Sequence, residues 1–190
     1  FVVRDISVSG GALSSFAASS STVYTATFTP SGNGAKTIDV NANVFTDSAS
    51  NNNTAATQFN WTYDTTGPSM AITSSTVSDG ATSNDSTIAM IFTSSEATTN
   101  FVVGDITVNG GALSSFNASS STVYTATFTP SGNGAKTIDV AINKYTDSSG
   151  NNNTAASQFN WTFDTVAPTM AITSAEVSDG GISSNTTLSM

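Results

Sequence analysis

The chain has no cysteine, no histidine and only four basic residues. Without cysteine no disulfide can link its parts, and without either residue the usual nucleophile–base pairs of hydrolases are excluded. We therefore expect no enzyme. The basic residues are outnumbered by 13 acidic ones, which gives a formal net charge of −9. Such a chain repels phosphate backbones and anionic lipids, so nucleic-acid binding is not expected. No apolar run reaches the roughly 20 residues of a membrane span, so membrane insertion is not expected either.

The sequence does contain a long internal repeat. Gly10–Phe16 returns unchanged as Gly110–Phe116, and Asn60–Thr65 returns with one substitution as Asn160–Thr165. The period is about 100 residues, and roughly three quarters of the aligned positions are identical. The function should therefore be that of a tandem array.

The chain starts in the middle of a repeat, which predicts a window cut from a longer array. We assign the C-terminal part of one repeat to residues 1–65 and a complete repeat to residues 66–165. Residues 166–190 are expected to be the N-terminal strands of a third. Each full unit is long enough to bury a core of its own.

Apolar and polar residues alternate through most of the complete repeat, which is typical of β-strands with one buried face. Glycine, asparagine and proline clusters separate these stretches every 8–15 residues or so, and no stretch has a helical period. The sequence predicts an all-β antiparallel sandwich of about seven strands. The predicted strands centre on Met70–Ile72, Ile88–Phe92, Phe101–Val108, Ala112–Phe116, Val123–Thr129, Lys136–Thr146 (with Ile138, Val140 and Ile142 on one face) and Phe159–Phe163.

Several motifs of the repeat resemble bacterial Ig-like repeats. They are Phe101-x-x-x-Asp105-Ile106-x-Val108, Gly111-Ala112-Leu113, Tyr124-Thr125-Ala126-Thr127, Asp147-x-x-Gly150-Asn151 and Phe163-Asp164-Thr165 with Pro168. The resemblance covers the whole chain and implies tandem immunoglobulin-like Greek-key sandwiches arranged end to end. Such repeats are typical of large secreted adhesins and other surface proteins, which implies an extracellular or cell-surface location. Its implied partners are the neighbouring repeats of the same chain.

The resemblance also implies calcium at the junctions between domains. Calcium takes six to eight oxygen ligands, and the acidic side chains of this chain are concentrated in loops and linkers. Ordinary turn and cap roles for these residues are the competing interpretation. Ser50 stands where the second copy has Gly150, so a weaker site is expected in the first copy. The calcium candidates are Asp64, Glu96, Asp105, Asp147, Asn151 and Asp164.

Three functions remain open from the sequence. The leading hypothesis is a stalk or spacer module of an extracellular adhesin or matrix protein, whose cell-surface or glycan ligand is bound by regions outside this chain. The second is a self-assembling filament or sheath, in which strands of neighbouring copies complete the partial repeats. The third is a carbohydrate-binding module. Its candidate sugar platform is the aromatic stripe of Trp61 and Trp161 with Phe59 and Phe159, although aromatic residues at strand spacing more often form a core.

Overall fold

The computed structural model describes all residues, 1–190, and is almost entirely β-structure. Its only helical segments are two three-residue 3₁₀ turns, Val3–Asp5 and Val103–Asp105, and no helix is long and apolar enough to cross a membrane. The strands are β1 (Ser7–Ser9), β2 (Gly11–Ala18), β3 (Tyr24–Pro30), β4 (Gly34–Asp39), β5 (Phe59–Tyr63), β6 (Met70–Ser74), β7 (Thr82–Ser83), β8 (Ile88–Ser94), β9 (Ile106–Asn109), β10 (Gly111–Ala118), β11 (Val123–Pro130), β12 (Gly134–Val140) and β13 (Phe159–Phe163).

Strands β6 to β13 form two four-stranded sheets that share one core. The first has the order β10-β11-β8-β6 and the second the order β7-β13-β12-β9. All pairs are antiparallel except the short contact of β7 with β13, which is parallel. Buried residues of both sheets belong to a single cluster of 16. The predicted all-β sandwich is confirmed.

Alternation of side chains places the core between the sheets. Along β8, Ile88, Met90 and Phe92 are buried while the residues between them are partly or fully exposed. The same alternation runs along β11 and β12. Phe128 of one sheet meets Trp161 of the other edge to face, with ring centroids 4.8 Å apart. Such contacts add roughly 0.5–1.5 kcal/mol beyond the area that the two rings bury.

Two predicted strands are shorter in the structure than the sequence indicated. The segment Phe101–Val108 begins with a 3₁₀ turn, closed by a hydrogen bond of 2.9 Å from Val102 N to the Asp105 carboxylate, so that β9 starts only at Ile106. The prediction that Lys136–Thr146 is one strand was also wrong. The strand ends at Val140, and Ile142, which we placed on the buried face, is 58% exposed.

The early end of β12 has a local cause in the side chain of Asn153. This residue is 1% exposed, and its carboxamide makes four hydrogen bonds to the backbone. Its oxygen accepts from the backbone nitrogens of Lys144 and Tyr145, and its nitrogen donates to the carbonyls of Ala141 and Thr154. These bonds replace ladder bonds of a sheet, so the chain turns away after Val140.

Residues 1–63 repeat five of these strands, in both layers, but lack the counterparts of β6, β7 and β8. Their five strands form one three-stranded and one two-stranded sheet, and residues that are buried in the complete repeat are more open here. Phe59 is 64% exposed, whereas its counterpart Phe159 is 4% exposed. In residues 166–190 the expected opening strands do not form. In the complete repeat β6 is held by β8, and only Leu188–Met190 correspond to β8 in this segment.

The hydroxyl of Tyr145 offers a first test of the core. Tyr145 is 1% exposed, its hydroxyl lies near that of Ser94 without a hydrogen bond of good geometry, and burial raises its pKa. The first repeat carries Phe45 at this position. We expect Tyr145→Phe to leave the free energy of unfolding unchanged or to raise it by up to about 1 kcal/mol, because it removes an unsatisfied polar group. Urea denaturation measures this, and a loss of more than about 1 kcal/mol would mean that the hydroxyl has a partner such as a buried water.

Candidate metal centre at the repeat junction

The second half of the linker between the repeats (residues 64–69) is held by the complete repeat. The carbonyl of Pro68 accepts a hydrogen bond of 2.9 Å from the backbone nitrogen of Thr154. The backbone nitrogen of Ser69 donates to the hydroxyl of Ser95, and the backbone nitrogen of Ser95 donates to the carbonyl of Ser69, both at 2.9 Å. At Gly67 an added Cβ would lie 1.9 Å from the carbonyl oxygen of Asn152, so only glycine allows the linker to approach this closely. The linker is therefore part of the fold of residues 66–165.

This course of the linker brings three carboxylates together. Oxygen atoms of Asp64 in the linker, Glu96 after β8 and Asp147 in the loop after β12 all lie within 4.8 Å of one another. Asp147 is 8% exposed, and the other two are partly buried. We call these three residues the acid cluster. Like charges this close repel, so the arrangement favours either a bound cation or a retained proton.

The loop after β12 fixes the position of Asp147. One of its oxygens accepts hydrogen bonds from the backbone nitrogens of Ser149 and Asn151, at 2.8 and 2.9 Å. The other accepts from the side-chain nitrogen of Asn151 at 2.9 Å, and that nitrogen also reaches the carbonyl of Asp64 at 3.2 Å. Asn151 is thus a donor that ties the loop to the linker. In this role it positions the acid cluster, and a ligand from this residue would be its side-chain oxygen.

The pKa values of Glu96 and Asp147 move in opposite directions. Burial, followed by the charges of Asp64 and Asp147, raises the pKa of Glu96 above its usual 4.5. Burial acts the same way on Asp147, but the hydrogen bonds from Asn151, Ser149 and Gly150 prevail and hold its pKa below 3.8. Asp147 therefore stays ionised under conditions in which Glu96 takes up a proton.

These directions set the pH dependence of the metal-free protein. Glu96 binds its proton more tightly when folded than when unfolded, so its stabilising contribution is complete below pH 4.5 and is lost as the pH rises through the raised folded pKa. The contribution of Asp147 is present above pH 3.8 and is lost as the pH falls through its lowered folded pKa. At neutral pH the metal-free protein has therefore lost the contribution of Glu96 and keeps that of Asp147.

Two of the six candidate residues do not join the acid cluster. Asp105 caps its own 3₁₀ turn through the bond to Val102 described above, so it acts within its own segment. Asp164 lies at the other end of the complete repeat, where its carboxylate accepts from Val166 N at 2.9 Å. It holds at the second junction the position that Asp64 holds at the first.

The loop after β4 in the first copy has the same shape as the loop after β12 in the second. Asp47 accepts bonds from Ala49 and Asn51 as Asp147 does from Ser149 and Asn151, and the side-chain bond from Asn51 lowers its pKa. Ser50 has a φ of 67°, close to the 88° of Gly150. Glycine is thus not needed for the loop to form, although a left-handed serine costs roughly 1–2 kcal/mol. That the first copy binds an ion less well stays a prediction.

The aromatic stripe belongs to the core of the complete repeat. Phe159 is 4% and Trp161 is 2% exposed, and the two rings lie 5.8 Å apart. A sugar platform needs an exposed ring face, so these residues do not supply one. The prediction that the stripe is packed in the core is confirmed for the complete repeat, whereas Phe59 of the first copy is 64% exposed.

Comparison with known proteins identifies the family. The sequence model described as "Bacterial Ig-like domain" matches residues 1–63 and again residues 64–163. The chain belongs to this family, as tandem copies of its domain. Such domains are typically structural modules without enzymatic activity and commonly occur in surface proteins. No curated protein and no solved structure matches the chain.

Proposed function

We propose that this chain is a stalk segment of an extracellular adhesin or matrix protein, in which each repeat sets the direction of the next. The observation that carries this proposal is the linker, which is bonded to the complete repeat at Asp64, Pro68 and Ser69 instead of crossing freely between domains. A tethered linker transmits direction, whereas a free one would let the domains move independently. Near-identical repeats suit a spacer, because its length matters more than any single site.

We further propose that calcium binds at the acid cluster and stiffens the junction. The cluster joins the linker, through Asp64, to two separate loops of the complete repeat, through Glu96 and Asp147. An ion held by all three would tie these segments together. Calcium suits the oxygen donors, which are carboxylates with loop carbonyls close by, and its flexible coordination tolerates ligands from different segments.

The stalk proposal predicts an elongated monomer. A sandwich with strands of this length is about 30–40 Å long, so two units in line exceed the dimensions of a globule. We expect small-angle scattering to give a radius of gyration well above the roughly 16 Å of a compact globule of this size. The profile should become more rod-like with calcium than with EDTA. A compact particle under both conditions would contradict the proposal.

Self-assembly remains a second candidate function because of the open apolar faces of residues 1–63. Phe59 is exposed there, and so are Met170 and Ile172 of the C-terminal segment, at 90% and 74%. These are the counterparts of Met70 and Ile72, which fill the core of the complete repeat. Size-exclusion chromatography with light scattering decides between the two functions. The stalk proposal predicts a monomer at micromolar concentration, and concentration-dependent polymers would favour the filament.

A further inference from the structure

The hairpin turn between β3 and β4 reaches across to the linker through one asparagine side chain. The oxygen of Asn33 accepts from the backbone nitrogen and the hydroxyl of Thr65, at 3.1 and 2.9 Å. Its nitrogen donates to the carboxylate of Asp64 at 3.0 Å and to the hydroxyl of Thr66 at 2.7 Å. Every hydrogen-bonding position of this exposed amide is therefore used on the linker.

The second junction repeats only half of this arrangement. The oxygen of Asn133 accepts from the backbone nitrogen and hydroxyl of Thr165, at 3.2 and 2.9 Å. Its nitrogen bonds neither the linker carboxylate nor the next side chain. The two linkers differ here at two positions. Val166 replaces Thr66 and has no hydroxyl to accept a bond, and Ala167 replaces Gly67.

We propose that the amide of Asn33 and the hydroxyl of Thr66 form a metal-independent lock between a repeat and the linker that follows it. The Thr66 hydroxyl orients the amide nitrogen of Asn33 toward Asp64, so that both the oxygen and the nitrogen of the amide are hydrogen-bonded to the linker. With valine at this position only the amide oxygen is hydrogen-bonded to the linker. The residue at position 66 or 166 thus sets how firmly each joint is held.

The lock is distinct from the proposed ion site because its hydrogen bonds come from the preceding repeat. Asn33 belongs to the preceding repeat, whereas Glu96, Asp147 and Asn151 belong to the following one. Asp64 is the one residue that both share. A joint with the lock is held on two sides without any cation, and a joint with valine depends more on the following repeat. The residue at position 66 or 166 is therefore one of two differences that affect the stiffness of successive joints, beside Gly67 against Ala167.

Hydrogen exchange of two amides in the same molecule tests the lock. The amides of Thr65 and Thr165 both follow an aspartate, so their intrinsic exchange rates are matched. By NMR on the full chain in EDTA, we expect Thr65 to exchange roughly two- to tenfold more slowly than Thr165. Thr66→Val should remove this difference, Thr66→Ser should retain it, and Val166→Thr should slow the exchange of Thr165.

Domain orientation gives a second readout that a merely local effect would not change. Residual dipolar couplings in EDTA should fit one alignment tensor for residues 1–63 and 68–163 in the parent chain and in Thr66→Ser. In Thr66→Val the two sets of residues should require two different alignment tensors. Equal exchange of Thr65 and Thr165, or a Thr66→Val chain with unchanged exchange and a common tensor, would overturn the lock. Because calcium is absent throughout, failure of the ion site leaves this result unaffected.

Discussion

Calcium in large excess should raise the Tm of the complete repeat by about 10 °C or more relative to EDTA. A ligand that binds only the native state adds about 2.7 kcal/mol at a hundredfold excess over its Kd, and each kcal/mol moves the Tm of a domain of this size by about 4–8 °C. Occupation of the acid cluster would also offset the repulsion from Asp64 and Asp147 that, together with the larger effect of burial, raises the pKa of Glu96. Calorimetry of the full chain with calcium and then with EDTA measures the shift.

Glu96→Gln is the sharpest variant for this test. Glu96 makes no hydrogen bond to the backbone, whereas Asp147 holds the backbone of its loop, so that Asp147→Asn removes structure together with charge. We expect Glu96→Gln to abolish the calcium shift and to raise the metal-free Tm at neutral pH. Asp139→Asn, on the outer face of β12, removes one acid outside the acid cluster and should retain the full shift. A shift that survives Glu96→Gln, or its absence from the parent chain, would remove calcium from this site.

Asn153→Ala should lower the free energy of unfolding by about 3–5 kcal/mol, which is a large share of the 5–15 kcal/mol available to a domain. The substitution leaves two backbone nitrogens and two carbonyls of the segment from Ala141 to Thr154 without their partner. Water reaches this position poorly, since Asn153 is 1% exposed. Chemical denaturation with far-UV circular dichroism gives the value.

The first repeat contains a matched control for this substitution. Asn53 makes the same four contacts, to Val44, Phe45, Asn41 and Thr54, but in a more open setting. Water can replace some of its hydrogen bonds, so Asn53→Ala should cost clearly less. Equal losses for the two variants would show that burial does not determine the cost. A loss below about 1 kcal/mol at Asn153 would mean that the loop refolds around the alanine.

The strands that alternate over a full buried face were predictable from the sequence. β8, β11 and β13 follow the period-two pattern because the sheets bury one face throughout. The sequence failed where a side chain replaces a backbone partner. Ile142 continues the apolar pattern, but Asn153 binds the backbone around it and ends the strand two residues earlier. The signal for this was the asparagine run at 151–153, which also reads as an ordinary turn.

The candidate site was likewise predictable from the sequence only in part. The sequence alone determined the residue types, since a chain with acids in its loops and without histidine or cysteine has only oxygen ligands to offer. It also determined the tandem repeat. Only the tertiary structure selected Asp64, Glu96 and Asp147 from the six candidates, because they come from three segments far apart in the chain. Their meeting depends on Gly67 lying against the carbonyl of Asn152, a contact that no local pattern encodes.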